Sequence, residues 1–161
     1  MKATATLLAT AALVVAGAAS AKDEPAKPPS LCKPGFIFIE LVTERVGDYI
    51  TFFEQLTDFK VSRNDGDYAC LRNDRAELVF MGHKGLPEGH PNKQPPGETG
   101  RGLGIEIVVI VTDLDQAFAK SARFRQEGWK LSAGIGRRPW GARDFRIVSP
   151  DGYYLRFSEP M

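Results

Sequence analysis

Arg137-Arg138-Pro139-Trp140-Gly141-Ala142-Arg143-Asp144-Phe145-Arg146-Ile147-Val148-Ser149-Pro150-Asp151-Gly152-Tyr153-Tyr154-Leu155-Arg156-Phe157 is the stretch that decides the fold. Phe145 and Ile147, then Tyr153, Leu155 and Phe157, recur at every second residue, the period of a strand with one face in a core. Ser149-Pro150-Asp151-Gly152 between the two runs has turn composition, so the stretch reads as a β-hairpin. Arg137, Arg138, Arg143 and Arg146 cluster in this stretch and read as a solvated strand face.

Working back from the hairpin, residues 105–111 form an apolar run of strand type. Leu114, Ala117, Phe118 and Ala122 follow at helical spacing, and Gly128 is a stop signal. Residues 129–132, 143–148 and 153–157 then give three strands. The preceding half of the chain has the same order. Residues 36–42 are a strand, Val46, Tyr49, Ile50, Phe53 and Leu56 mark one helix face, and 59–63, 68–72 and 77–81 are short strands. Asn64-Asp65-Gly66 and Asn73-Asp74 supply the turns. Val42-Thr43-Glu44 corresponds to Val111-Thr112-Asp113, and Phe59-Lys60-Val61 to Trp129-Lys130-Leu131.

This duplicated β-α-β-β-β order, with its Pro-Trp-Gly and Pro-Asp-Gly ending, resembles the vicinal oxygen chelate (VOC) superfamily of glyoxalase I, extradiol dioxygenases and bleomycin-resistance proteins. The resemblance implies an α+β fold: two tandem βαβββ modules, about 36–82 and 103–159, in one domain spanning 36–159. Residues 83–102 link the modules. It further implies that the modules form a curved eight-stranded sheet around a central cavity, with the helices outside.

Residues 1–21 carry Lys2, an apolar run at 7–17 and Ala19-Ser20-Ala21, the pattern of a cleaved secretory signal peptide. The run is short of the roughly 20 residues that span a bilayer, so no membrane association is expected after cleavage. Residues 22–35, rich in Pro, read as an extended leader, and the expected location is periplasmic or secreted. Lys and Arg number 21 against 20 Asp and Glu. Losing Lys2 with the signal peptide leaves a balanced chain, which gives no electrostatic reason to bind nucleic acid. In an oxidising compartment Cys32 and Cys70 could bond, but spacing alone does not decide it.

In metal-dependent relatives the ligands come from the first and last strands of each module. Those positions here are Ile37 or Phe38, then Glu77, Glu106 and Arg156. With Glu40 as a third carboxylate, Glu40, Glu77 and Glu106 are the only set that resembles a divalent-metal site, and Arg156 would bring a fixed positive charge to it. Arg156 is therefore expected to neutralise buried Glu77 and Glu106 in a metal-free cluster, with no cofactor. His83 and His90 lie in the linker without a Cys or third His beside them. No Gly-x-Ser-x-Gly, no phosphate loop opening a helix and no Cys-x-x-Cys occurs.

The expected ligand-binding residues are Phe38, Glu40, Glu77, Glu106, Trp140, Tyr154 and Arg156. Apolar walls would take a planar small molecule and the charges would orient it. No catalytic residue is assigned. The favoured reading is an exported glyoxalase-like or bleomycin-resistance-like binder of a small molecule. The rivals are a metal-dependent lyase or dioxygenase and a protein-interaction accessory domain. A homodimer is a further expected partner class.

Overall fold

The computed structural model of the chain describes residues 37–93 and 100–160. The expected signal peptide, the leader and Cys32 lie outside the described residues. The first module comprises β1 (Phe38–Val42), α1 (Val46–Leu56), β2 (Lys60–Asn64), β3 (Tyr68–Arg72) and β4 (Glu77–Met81). The second comprises β5 (Glu106–Ile110), α2 (Leu114–Ser121), β6 (Lys130–Arg137), β7 (Arg143–Val148) and β8 (Tyr154–Ser158). No helix among the described residues is long and apolar enough to cross a membrane.

Each module closes its sheet in the same way. The first strand runs parallel to the last, and the remaining strands pair antiparallel, in orders β1-β4-β3-β2 and β5-β8-β7-β6. A parallel pair needs a long crossover, and α1 and α2 supply it in their modules. The tandem βαβββ modules are therefore as the sequence implies. The eight strands, however, form two sheets of four, and the sheets are not closed into one. β1 and β5 are edge strands, and a groove of about 500 Å³ has Ile39 of β1 and Ile107 of β5 among its lining residues.

Helix α1 forms because Val46, Tyr49, Phe52, Phe53 and Leu56 all fall on one side and are buried. Helix α2 is capped at its start by Asp113, whose side chain accepts from the Gln116 N–H at 2.8 Å. After Ser121 the chain tightens into a 3-10 turn, Ala122–Glu127, which turns Ala122 outward and buries Phe124 in its place. The run stops at Gly128, whose φ of 94° lies in the left-handed region that a side chain disfavours.

The two modules share one core. The Phe52 ring of α1 is stacked on Trp129, with centroids 3.7 Å apart and planes 7° from parallel, and meets Phe124 and Phe157 edge-on. Each fully buried Phe contributes about 1.5–3 kcal/mol by leaving water. Phe145, Ile147, Tyr153, Leu155 and Phe157, the alternating residues of the C-terminal hairpin, are all in this core.

The turn of that hairpin is also a polar clasp between modules. Thr43 Oγ1 and Tyr49 OH each donate to Asp151 Oδ2 at 2.7 Å. Tyr153 OH accepts from the Val42 N–H and donates to the Val42 carbonyl, both at 3.0 Å. Tyr153 is thus a buried strut between the modules.

Candidate functional site

The strand alternation that buries Phe145, Ile147, Leu155 and Phe157 sends Asp144, Arg146, Tyr154 and Arg156 to the opposite face of the second sheet. β5 adds Glu106 and Val108, in register with Tyr154 and Arg156. β6 is longer than the sequence suggests and runs to Arg137, so Arg138 and Trp140 project from the tip of a long hairpin. Ile135 in this extension packs against the core, which holds the extra turns of strand in place.

The charges on this face are closely coupled. Asp144 has no exposed surface, and Arg138 Nε donates to its Oδ1 at 2.6 Å. Arg146 Nε stands 3.5 Å from the same oxygen, and Arg146 Nη1 reaches the Tyr154 hydroxyl at 3.4 Å. Arg156 Nε is 3.6 Å from Glu106 Oε1. Its guanidinium carbon lies 5.3 Å from the centre of the Trp140 ring, a cation–π distance, and the Trp140 side of this pair is half exposed.

The first sheet carries the other expected residues. Phe38 is opposite Glu77, and Glu40 opposite Val79. Glu77 is buried and pairs with Arg72 at 3.8 Å, its direct cross-strand neighbour. The structure thus gives Arg156 only one of its two expected carboxylate partners: Glu106 is there, and Glu77 is not. Glu40 lines a smaller groove, about 160 Å³, with Arg101, Asn92 and Tyr153. Of the seven expected residues, Glu106, Trp140, Tyr154 and Arg156 fall together, while Phe38, Glu40 and Glu77 stand apart on the first sheet.

Asp144, Arg138 and Arg146 are the residues that sequence reasoning missed. Arg138 and Arg146 were assigned to a solvated face, and Arg143, paired with Asp115 and Glu159, does lie nearer that description. The available signal was the period of two, which puts Asp144 and Arg146 on one face with Tyr154 and Arg156.

The sequence model of the Glyoxalase/Bleomycin resistance protein/Dioxygenase superfamily matches residues 35–157. The chain belongs to this superfamily. No curated protein matches the chain. Among solved structures, TioX from Micromonospora sp. ML1 is 15% identical with a TM-score of 0.56, covering 78% of this chain and 98% of that one. A glyoxalase/bleomycin resistance protein/dioxygenase family enzyme from Burkholderia phytofirmans PsJN is 13% identical with a TM-score of 0.57, covering 77% and 97%. A glyoxalase-related enzyme from Fulvimarina pelagi is 14% identical with a TM-score of 0.59, covering 76% and 86%. These likenesses concern the fold.

Superfamily membership raises the question of a divalent metal, and the residues present do not fit one. Among the described residues no three His, Cys, Asp or Glu side chains are grouped to hold an ion. Glu106 is engaged with Arg156 and Glu77 with Arg72, in different sheets. A catalytic metal needs about three converging protein ligands. His83 sits against Glu44, at 3.3 Å from Nδ1 to the carboxylate, and not in a donor cluster.

In this chain burial, partial or complete, keeps several weak acids neutral. Cys70 is a free, buried thiol beside Glu77, and burial pushes its pKa up. Burial, followed by the Cys70 contact, pushes Tyr68 up to about 12. Burial also raises Tyr49 and Tyr153. For such groups the folded state favours the protonated form, so the tyrosines' stabilisation is complete below an unfolded pKa of about 10, that of Cys70 below about 8.5, and each is lost as pH rises above those values. Urea midpoints are therefore expected to hold to about pH 8, ease slightly as the Cys70 thiol of the unfolded chain ionises, and fall steeply above about pH 10. A midpoint constant up to about pH 12 would contradict the burial of these hydroxyls.

Proposed function

We propose that the protein is an exported, metal-free binder of a small planar molecule, of the glyoxalase-like and bleomycin-resistance-like kind. The ligand would lie on the open face of the second sheet. The observation that carries this reading is the half-exposed Trp140 ring held over Arg156, beside Glu106 and Tyr154. An indole fixed in place by a guanidinium offers one flat surface to a second π-system at little entropic cost. Exposed Val108, in register with Arg156, extends the apolar floor. Arg156 supports the metal-free part of the reading, because its guanidinium fills the role of Glu106's counter-charge. Export is supported by the signal pattern at residues 1–21.

Nitrogen–proton spectra of the two indole groups test the binding directly, with 2-naphthoate as probe. Trp129 is buried and Trp140 exposed, so the Trp140 indole signal should shift on titration while the Trp129 signal stays. Trp140→Ala should weaken binding about fivefold or more, the worth of an aromatic stack. Unchanged affinity in Trp140→Ala would remove the site from this face. For export, the protein recovered outside the cytoplasm should have the mass of a chain beginning at Lys22. Recovery of the uncut chain from the cytoplasm alone would overturn that half.

A further inference from the structure

Arg146 and Arg156 are direct partners across β7 and β8, so two guanidiniums share one sheet face at a spacing where like charges repel. The nearby carboxylates do not cancel the pair. Asp144 lies 2.6 Å from Arg138 and 3.5 Å from Arg146, so its single charge serves two cations. Glu106 keeps 36% of its side-chain surface exposed and stands 3.6 Å from Arg156, beyond hydrogen-bond reach. Three guanidiniums thus face two carboxylates. The Nε atoms of Arg146 and Arg156 are both buried and have no hydrogen-bond partner among the described residues. Buried donors left in that state are costly, and both side chains keep part of their surface in water, 24% for Arg146 and 21% for Arg156, where an acceptor from outside can reach them.

We infer that Arg146 and Arg156 together receive the carboxylate of the ligand, whose planar part lies against Trp140. This rests on the planar-ligand reading above and names its chemical class: an aromatic or conjugated carboxylate. A planar oxyanion with two oxygens matches the guanidinium fork, which a point-charge ammonium does not. Trp140 holds the Arg156 guanidinium in place before the ligand arrives. Tyr154 does the same for Arg146 by accepting from Nη1.

Calorimetric titration of the full chain with 2-naphthoate and with its neutral counterpart 2-naphthamide separates the two levels of the claim. The carboxylate should bind about tenfold tighter or more, as hydrogen bonds to a charged group allow. That preference should vanish in Arg156→Met and in Arg146→Met. It should survive in part in Arg156→Lys, which keeps charge and loses the fork. Raising the ionic strength from about 0.05 to 0.5 M should weaken the carboxylate only. Arg156→Met is the decisive variant, because the partner it leaves behind, Glu106, can be solvated without harm to the fold. Equal binding of both probes, with Trp140→Ala weakening each, would overturn the carboxylate inference and leave the planar-ligand reading standing. Binding of neither probe would overturn both.

Discussion

Asp151→Ala is expected to lower the unfolding free energy by about 3 kcal/mol, because it strips one acceptor from two buried hydroxyls at once, each worth roughly 1–3 kcal/mol when left unsatisfied. Thr43 and Tyr49 have no exposed surface, and both donate to the same oxygen, Asp151 Oδ2, at 2.7 Å. Asp151 itself is only half-buried, so water can reach part of the vacated space, and the loss is set toward the lower end of that sum. Asp151→Asn keeps an acceptor oxygen in the same place and should cost less than half as much. Urea unfolding with unchanged slope measures the difference. A loss below about 1 kcal/mol for the alanine variant would mean that the two hydroxyls find other partners. The result bears on more than stability. The expected loss would make the Pro-Asp-Gly turn a clasp that fixes the second module's hairpin against the first module.

The fold was legible where its determinants are local. The period of two over residues 143–148 and 153–157 put Phe145, Ile147, Tyr153, Leu155 and Phe157 in the core, where the structure has them. The duplicated order of strand, helix and three strands was equally plain, because each element carries its own periodicity. What stayed hidden depends on register or on contacts between modules. β1 and β5 both read as apolar runs, and nothing in such a run says whether it pairs with another strand or stays an edge. Glu77 was matched to Arg156 by family position. The short Asn73-Asp74 turn already implied the correct partner, since it places Arg72 directly opposite Glu77. Ala122 was expected inward on an ideal 3.6-residue helix. The tightening to a 3-10 turn gave its place to Phe124.

The site follows the same division. Trp140, Tyr154, Arg156 and Glu106 could be grouped because they flank one hairpin and its parallel neighbour. Their charge balance could not be judged, since it turns on Asp144, an aspartate in an arginine-rich stretch whose complete burial no composition reveals. Burial of Asp144 is what converts Arg138 from a surface charge into a structural one. It also leaves Arg146 and Arg156 short of a counter-ion on the exposed side of the same cluster. Stability and the proposed binding are thereby divided between neighbouring arginines.

That division predicts opposite behaviour for two substitutions of the same kind. Arg138→Met should destabilise the protein by about 3 kcal/mol or more, the cost of breaking a buried ion pair and leaving its partner behind. Asp144 is fully buried, Arg138 Nε donates to it at 2.6 Å, and Arg146 at 3.5 Å is the remaining cation in reach. Adding Asp144→Leu to Arg138→Met should recover most of the loss, because the uncompensated charge is gone and an apolar side chain can fill its place. Arg156→Met, by contrast, should cost less than about 1 kcal/mol, because the carboxylate it leaves behind is already partly solvated. Its partner Glu106 keeps 36% of its side-chain surface in water and stands 3.6 Å away. Family position had assigned the structural role to Arg156. The geometry gives the fully buried partner to Arg138 and leaves Arg156 with a partly solvated one, as the proposed ligand role requires. Denaturation of the two single variants and the double variant under one set of conditions decides the matter. An Arg156→Met protein as damaged as Arg138→Met would show that Arg156 is a second structural arginine, and the carboxylate-binding role argued above would lose its basis.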